Sequence, residues 1–207
     1  MYFRHTILII IINALCFTVQ GQNWELKKNS NGIKIYTRQK EGYNLLEFKA
    51  ETTVNASVKQ VVDIIYDVNS YKNWMSDVKK SELIKKIDNS SFYAYYEISM
   101  PWPFKNRDIA VLCTINQKAG KAGVSVYSKP DITQKKEGLT RINIAEGYWK
   151  IESISKNRTE LTYSFFSDPE GSFPTWLINM FIVDNSYKTM CNMKNIFLGK
   201  GKIKNKD

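Results

Sequence analysis

The chain has 207 residues and carries 30 Lys and Arg against 20 Asp and Glu, a net charge of +10, with 43% of its residues apolar. That length suits one domain with a substantial core. His5 is the only histidine and lies in a leader-like N-terminus, and Cys113 and Cys191 are few and far apart, so the rest of the chain excludes Ser-His-Asp and Cys-His catalysis and zinc clusters, and no metal or cofactor is expected.

Residues 1–21 read as a signal peptide. Arg4 and His5 precede an almost unbroken apolar run from Ile7 to Val19, and Val19-Gln20-Gly21 offers small-residue cleavage before Gln22. The alternative, an uncleaved anchor, needs about 20 apolar residues, more than the run supplies. The expected destination is the periplasm or the exterior. Removing Arg4 leaves a charge of +9. Part of that charge sits in a tail over 199–207, with Lys200, Lys202, Lys204 and Lys206. Export makes an anionic membrane surface the expected transient partner of this charge, with a merely solvating tail as the alternative.

Trp24 to Arg38 alternates around Asn31-Gly32, which predicts a hairpin. Leu45 to Val54 reads as a strand. Ser57-Val58-Lys59-Gln60 then has capping-box spacing, and Val58, Val61, Val62, Ile65 and Val68 repeat at helical intervals. A short extra turn at Tyr71 to Met75 tucks Trp74 into the core. Strands are predicted over Val78–Ile87, Ser91–Met100, Arg107–Gln117, Ala122–Lys129, Thr140–Ser155 and Glu160–Ser167. Pro101-Trp102-Pro103-Phe104 interrupts the ladder, and a polar loop runs from Lys129 to Leu139. Cys113 and Cys191 would form either one disulfide or two buried thiols.

The last element is the longest. Gly171 permits a turn, Pro174 suits the first turn of a helix, and a periodic pattern continues to about Leu198. Trp176, Met180, Val183, Tyr187, Met190 and Phe197 fall near one stripe, with Asn179, Lys188, Asn192 and Lys194 mainly off it. Asp184, Asn185 and Lys188 rule this helix out as a membrane span. The fold class is α+β, a curved antiparallel sheet gripping a long C-terminal helix.

Three stretches carry a family resemblance. They are Tyr66-Asp67-Val68 with Tyr71-Lys72-Asn73-Trp74, then Met100-Pro101-Trp102-Pro103-Phe104-Lys105-Asn106-Arg107-Asp108, then Trp149-Lys150-Ile151 leading to Asp168-Pro169-Glu170-Gly171 and Pro174-Thr175-Trp176-Leu177-Ile178-Asn179. Together they resemble the START (StAR-related lipid-transfer) domain family, in a secreted, bacterial-type form, over most of residues 22–198. The resemblance implies a helix-grip fold around an apolar tunnel that holds one phospholipid, fatty acyl or sterol-like molecule, gated by the long helix and the Lys129–Leu139 loop. The expected wall is Tyr96, Ile98, Ile109, Val111, Cys113 and Phe165 from the strands, with Trp176, Met180, Val183 and Tyr187 from the helix. Arg107 either touches ligand or fixes the turn after Pro103, and Arg141 faces either a polar headgroup or solvent. Sterol carriers of the family place Arg where Cys113 stands. In its phosphatidylcholine branch an aromatic cage holds the choline, and Tyr96 matches one cage position while Ile109 replaces another.

The leading expectation is therefore a monomeric lipid-binding protein, possessing no enzymatic activity, that shuttles its ligand between membranes. The second is a histidine-free cyclase or hydrolase using Asp108, Glu97, Glu146 or a tyrosine. The third, a nucleic-acid or polyanion binder, requires lysines clustered with aromatics on one face, whereas here the lysines are scattered.

Overall fold

The computed structural model describes residues 23–199; the expected signal peptide and the lysines of the basic tail lie outside them. Ten strands make one sheet. The opening hairpin forms as expected, β1 (Glu25–Ser30) with β2 (Ile33–Gln39), and its turn has positive φ at Asn31 and Gly32. β3 (Leu46–Val54) pairs with β2 and leads to helix α1 (Val58–Tyr66). The Ser57 hydroxyl accepts from the Gln60 N–H, and the Gln60 side chain accepts from the Ser57 N–H, so the capping box closes at both ends. Val58, Val61, Val62 and Ile65 are its buried face.

A 3-10 turn over Val68–Asn73 carries Tyr71 and Trp74 into the core. β4 (Val78–Lys86), β5 (Ser91–Ile98), β6 (Arg107–Lys118) and β7 (Lys121–Ser128) follow as an antiparallel meander. The predicted strand from Thr140 to Ser155 divides in two. β8 (Thr140–Arg141) runs parallel to the start of β6, and β9 (Ala145–Ser155) joins β7. The break arises because Arg141 turns inward to Asp108, while the Ser128 hydroxyl bonds the Asn143 carbonyl and the Ala145 N–H.

β10 (Arg158–Ser167) pairs with both β9 and β3, so the order is β1-β2-β3-β10-β9-β7-β6-β5-β4. Helix α2 (Thr175–Phe197) then crosses the concave face over β1 to β3. Gly171, with φ +91°, supplies the turn before it, and Pro174 stands at its N-cap. The chain thus has the α+β helix-grip architecture. Among the described residues no helix is long and apolar enough to cross a membrane.

Candidate ligand-binding cavity

Between α2 and the sheet lies a cavity of about 190 Å³. β3 contributes Leu46 and Phe48, and β10 contributes Tyr163, Phe165 and Ser167, all at alternate positions that share a face. The roof is Leu177, Ile178, Phe181, Ile182, Asn185, Ser186 and Thr189 of α2, and Met75, Ser76, Met100, Pro169 and Phe173 close the sides. One wall is a run of rings. Tyr163 stacks on Trp149 at 3.9 Å between centroids, and Phe48 meets Tyr163 edge-on at 5.2 Å. Phe165 lies across Gly147 on the neighbouring strand, where a Cβ would stand 2.5 Å from the Phe165 ring. A strand glycine with no partner in a turn is the sequence sign of such an approach.

The cavity stops short of the strands where the sequence placed its wall. Tyr96, Ile109, Val111 and Cys113 are buried in the core, and Ile98 packs partly buried against it, but none lines the cavity. The protein's own aromatics pack against Tyr96 in the core. The Tyr71 ring sits 6.0 Å from Tyr96 and 5.3 Å from Trp74, which in turn lies 6.2 Å from Trp149. Burial pushes the hydroxyls of Tyr71, Tyr96 and Tyr163 well above a phenol's ordinary range and the Cys113 thiol up to about 12. Cys113 and Cys191 are free, buried thiols.

Of the four helix residues expected at the site, Trp176 is 67% and Met180 50% exposed. Val183 and Tyr187 pack partly buried on the opposite flank, where the Tyr187 hydroxyl accepts from Asn31 Nδ2 at 2.9 Å and Lys28 sits over its ring. Phe165 alone of the twelve expected residues lines the cavity. The face that does so lies about half a turn around α2 from the predicted stripe, and it carries Asn185, Ser186 and Thr189 among its apolar residues.

Those polar groups have specific states. Thr189 Oγ1 accepts the Ser76 N–H at 3.0 Å, which leaves its own proton uncommitted. Ser186 Oγ donates back to the Val183 carbonyl at 3.1 Å, leaving its lone pairs open. The half-buried Asn185 amide makes no hydrogen bond among the described residues. Asn192, one turn deeper and buried, donates to the Trp74 carbonyl at 2.9 Å. Among the described residues no Lys, Arg, Asp or Glu lines the cavity.

Charge gathers outside instead. Arg107, expected either on ligand or at the turn after Pro103, does bond the Lys105 carbonyl. It also donates through Nε to the Pro169 carbonyl at 2.8 Å and through a terminal nitrogen to the Glu170 carbonyl at 2.7 Å. Its guanidinium lies 4.7 Å from the Phe173 ring centre. It therefore ties the start of β6 to the turn that launches α2. Arg141 faces neither solvent nor cavity: it grips Asp108 bidentately at 2.8 and 3.0 Å, with both side chains at 2% exposure or less. Its remaining donors hold the carbonyls of Pro130, Thr133 and Gln134. That pins the Lys129–Leu139 loop, expected as a gate, and no residue of it reaches the cavity. Tyr95 shares its hydroxyl between Asp108 and Glu97, and Lys136 pairs with Glu97 at 2.9 Å. Burial pushes the Glu97 carboxyl up, but Lys136 and Tyr95 together hold it below its ordinary value.

The START domain family model matches residues 14–192. An uncharacterized protein of Pseudomonas aeruginosa is 26% identical over 193 residues, covering 93% of this chain and 95% of its own. The phosphatidylcholine transfer protein of Rattus norvegicus is 28% identical over 167 residues, covering 77% and 76% of the two chains. Among solved structures, a STAR-related lipid transfer protein fragment from Xanthomonas axonopodis is 33% identical, with a TM-score of 0.77 over 84% of this chain and 98% of that one.

Proposed function

Since the chain belongs to the START domain family, we propose that it holds one lipid molecule between α2 and the β3–β10 wall and carries it between membranes. The observation that supports this most directly is the cavity itself, largely apolar, roofed by a helix and, among the described residues, free of ionisable side chains apart from Tyr163. Each lipid methylene moved from water into such a site gains about 0.8 kcal/mol. The names of its relatives point the same way.

At about 190 Å³ the cavity is smaller than the roughly 300–1,000 Å³ of ordinary ligand sites, so a lipid enters by displacing part of its roof. The two halves of α2 differ in how firmly they are held. The second half is fastened by Thr189 to Ser76, Asn192 to Trp74 and Lys194 to the Asn31 carbonyl, with Met190 and Met193 fully buried. The first half rests on apolar contacts and the Arg107-bound turn. The first half is the movable part of the roof. Trp102, 93% exposed, stands between cavity-lining Met100 and Phe104, whose ring packs on cavity-lining Phe173 at 4.4 Å. With Trp176 it supplies the amphipathic rings suited to a membrane interface, Met180 adds an exposed apolar side chain beside them, and the basic surface would draw the protein to anionic bilayers in an exported compartment.

An acid–base enzyme is disfavoured by the whereabouts of its carboxylate candidates, and Tyr163, the tyrosine that does line the cavity, is pushed above a phenol's ordinary range by burial. Glu97, Asp108 and Glu146 are paired with Lys136, Arg141 and Lys40, and none lines the cavity. The test is native mass spectrometry of residues 22–207 purified without detergent. A single extractable lipid class bound one per chain is expected. A clean apo mass that stays unchanged after incubation with total lipids of the host would refute the carrier reading.

A further inference from the structure

Resting on that lipid-holding reading, we infer that the polar cluster on the roof of the cavity selects an uncharged lipid whose headgroup presents both a hydroxyl and an ester carbonyl, an acylglycerol, in preference to a phospholipid. Asn185, Ser186 and Thr189 lie at spacings that put them on one face of α2, and all three line the cavity. Their hydrogen-bonding capacities are complementary to a neutral donor–acceptor group. The Thr189 hydroxyl, already accepting from Ser76, has a proton to give. Ser186, already donating to Val183, has lone pairs to receive. The Asn185 amide offers two donors and an acceptor. A glycerol hydroxyl beside an ester carbonyl matches this set, and it does so without bringing charge.

A phosphodiester does not match. Taking an ion out of water costs several kcal/mol unless an opposite charge meets it, and among the described residues no cation lines the cavity. The two buried guanidiniums are committed, Arg107 to three carbonyls and Arg141 to Asp108 with a set of loop carbonyls. Lys28 and Lys194 lie on the outer flank of α2, on Asp184 and on the Asn31 carbonyl. Phosphatidylcholine, after which a relative 28% identical is named, thus meets no counter-charge for its phosphate among the described residues that line the cavity. The Asn185 amide, turned into an apolar cavity with no hydrogen-bond partner among the described residues, costs free energy unless a ligand supplies one.

The test offers the purified protein vesicles containing equal amounts of dioleoylglycerol, dioleoylphosphatidylcholine and dioleoylphosphatidylglycerol, so that chain composition is constant. The lipids retained after re-isolation are weighed by native mass spectrometry. Dioleoylglycerol is expected at about tenfold or more over either phospholipid, and Asn185→Leu is expected to cut its retention roughly fivefold, the worth of about one hydrogen bond. Asn185 makes no hydrogen bond among the described residues, so the variant should keep the wild-type near-ultraviolet circular dichroism; if it does not fold, the wild-type ratio decides alone. Phospholipid retained equally or better, or an Asn185→Leu variant with unchanged selectivity, overturns the headgroup inference and leaves lipid binding standing. Retention of no lipid at all overturns both.

Discussion

Arg107→Met is the substitution that separates the turn before α2 from the sheet while keeping most of the side chain's bulk. Arg107 is buried, and two of its bonds, to the Pro169 and Glu170 carbonyls at 2.8 and 2.7 Å, cross from β6 to that turn. Bonds from a charged donor contribute about 1.5–3 kcal/mol each, and the guanidinium over Phe173 adds about 0.5–2 kcal/mol. These contributions are not additive and methionine recovers some packing, so the expected loss is about 3–5 kcal/mol. For a domain of this size each kcal/mol moves Tm by roughly 2–4 °C, which sets the expected fall at about 10 °C. The location matters as much as the size. Amide hydrogen exchange should quicken at Glu170 and through the first half of α2, while the central strand β6 changes only by the global loss. Pro169 and Phe173 line the cavity, so lipid uptake should become faster and retention shorter. A fall in Tm under about 2 °C, or a loss of protection spread evenly over the sheet, would refute the assignment of Arg107 as the fastening of the roof.

Gly147→Ala places a methyl 2.5 Å from the Phe165 ring and 3.1 Å from the Ser164 carbonyl; the ring must swing into the cavity, so a crystal structure should show a smaller hollow, with about 1–3 kcal/mol lost and lipid uptake reduced more than stability. Asp108→Asn strands the Arg141 charge at 2% exposure and should cost about 3–5 kcal/mol in urea unfolding, a loss partly relieved by adding Arg141→Met. Glu97 is held below its ordinary value of 4.5 by Lys136 and Tyr95 in spite of burial, so its contribution is full above that value and disappears as pH falls through the depressed one. Glu97→Gln should therefore flatten the loss of stability between about pH 5 and pH 3, and identical acid limbs would contradict it. With its thiol pushed up to about 12, Cys113 of the native protein should resist alkylation at pH 8, and it should react only after unfolding in guanidinium.

Much of the fold was legible because local and global signals agreed. The Asn31-Gly32 turn, the Ser57–Gln60 capping box and the apolar repeat of α1 each specify one geometry, and each forms. The strand through Ile142–Ile144 was not legible, because its interruption comes from the partnership of Arg141 with Asp108, 33 residues away in sequence. A charged residue in an apolar strand hints at such a partner but does not name it. The cavity walls were less legible still. Alternation correctly turns Tyr96, Ile109, Val111 and Cys113 inward, yet it says nothing about whether a ring from elsewhere will pack against them, as Tyr71 does on Tyr96.

The phase of α2 is the most instructive case. Residues at 176, 180, 183 and 187 are large and apolar, and hydrophobic periodicity puts such a stripe inside. The opposite face offers Leu177, Ile178, Phe181 and Ile182 in its first turns, so the two faces compete on nearly equal terms there. Below them the second face carries Asn185, Ser186, Thr189 and Asn192, which the usual reasoning sends to solvent. The structure turns that face inward. Two of its members repay the burial within the protein, Thr189 by accepting from Ser76 and Asn192 by donating to Trp74, and these same bonds fix the rotation of the helix. Once they do, Asn185 and Ser186 must follow them inward, because residues three and four apart share a side. The outward face is then left with Trp176 and Met180 in water, a cost that a bilayer surface can remove. Polar roof and apolar exterior are thus two consequences of one helix rotation, and a ligand with a neutral polar headgroup and a membrane to deliver it to would satisfy both.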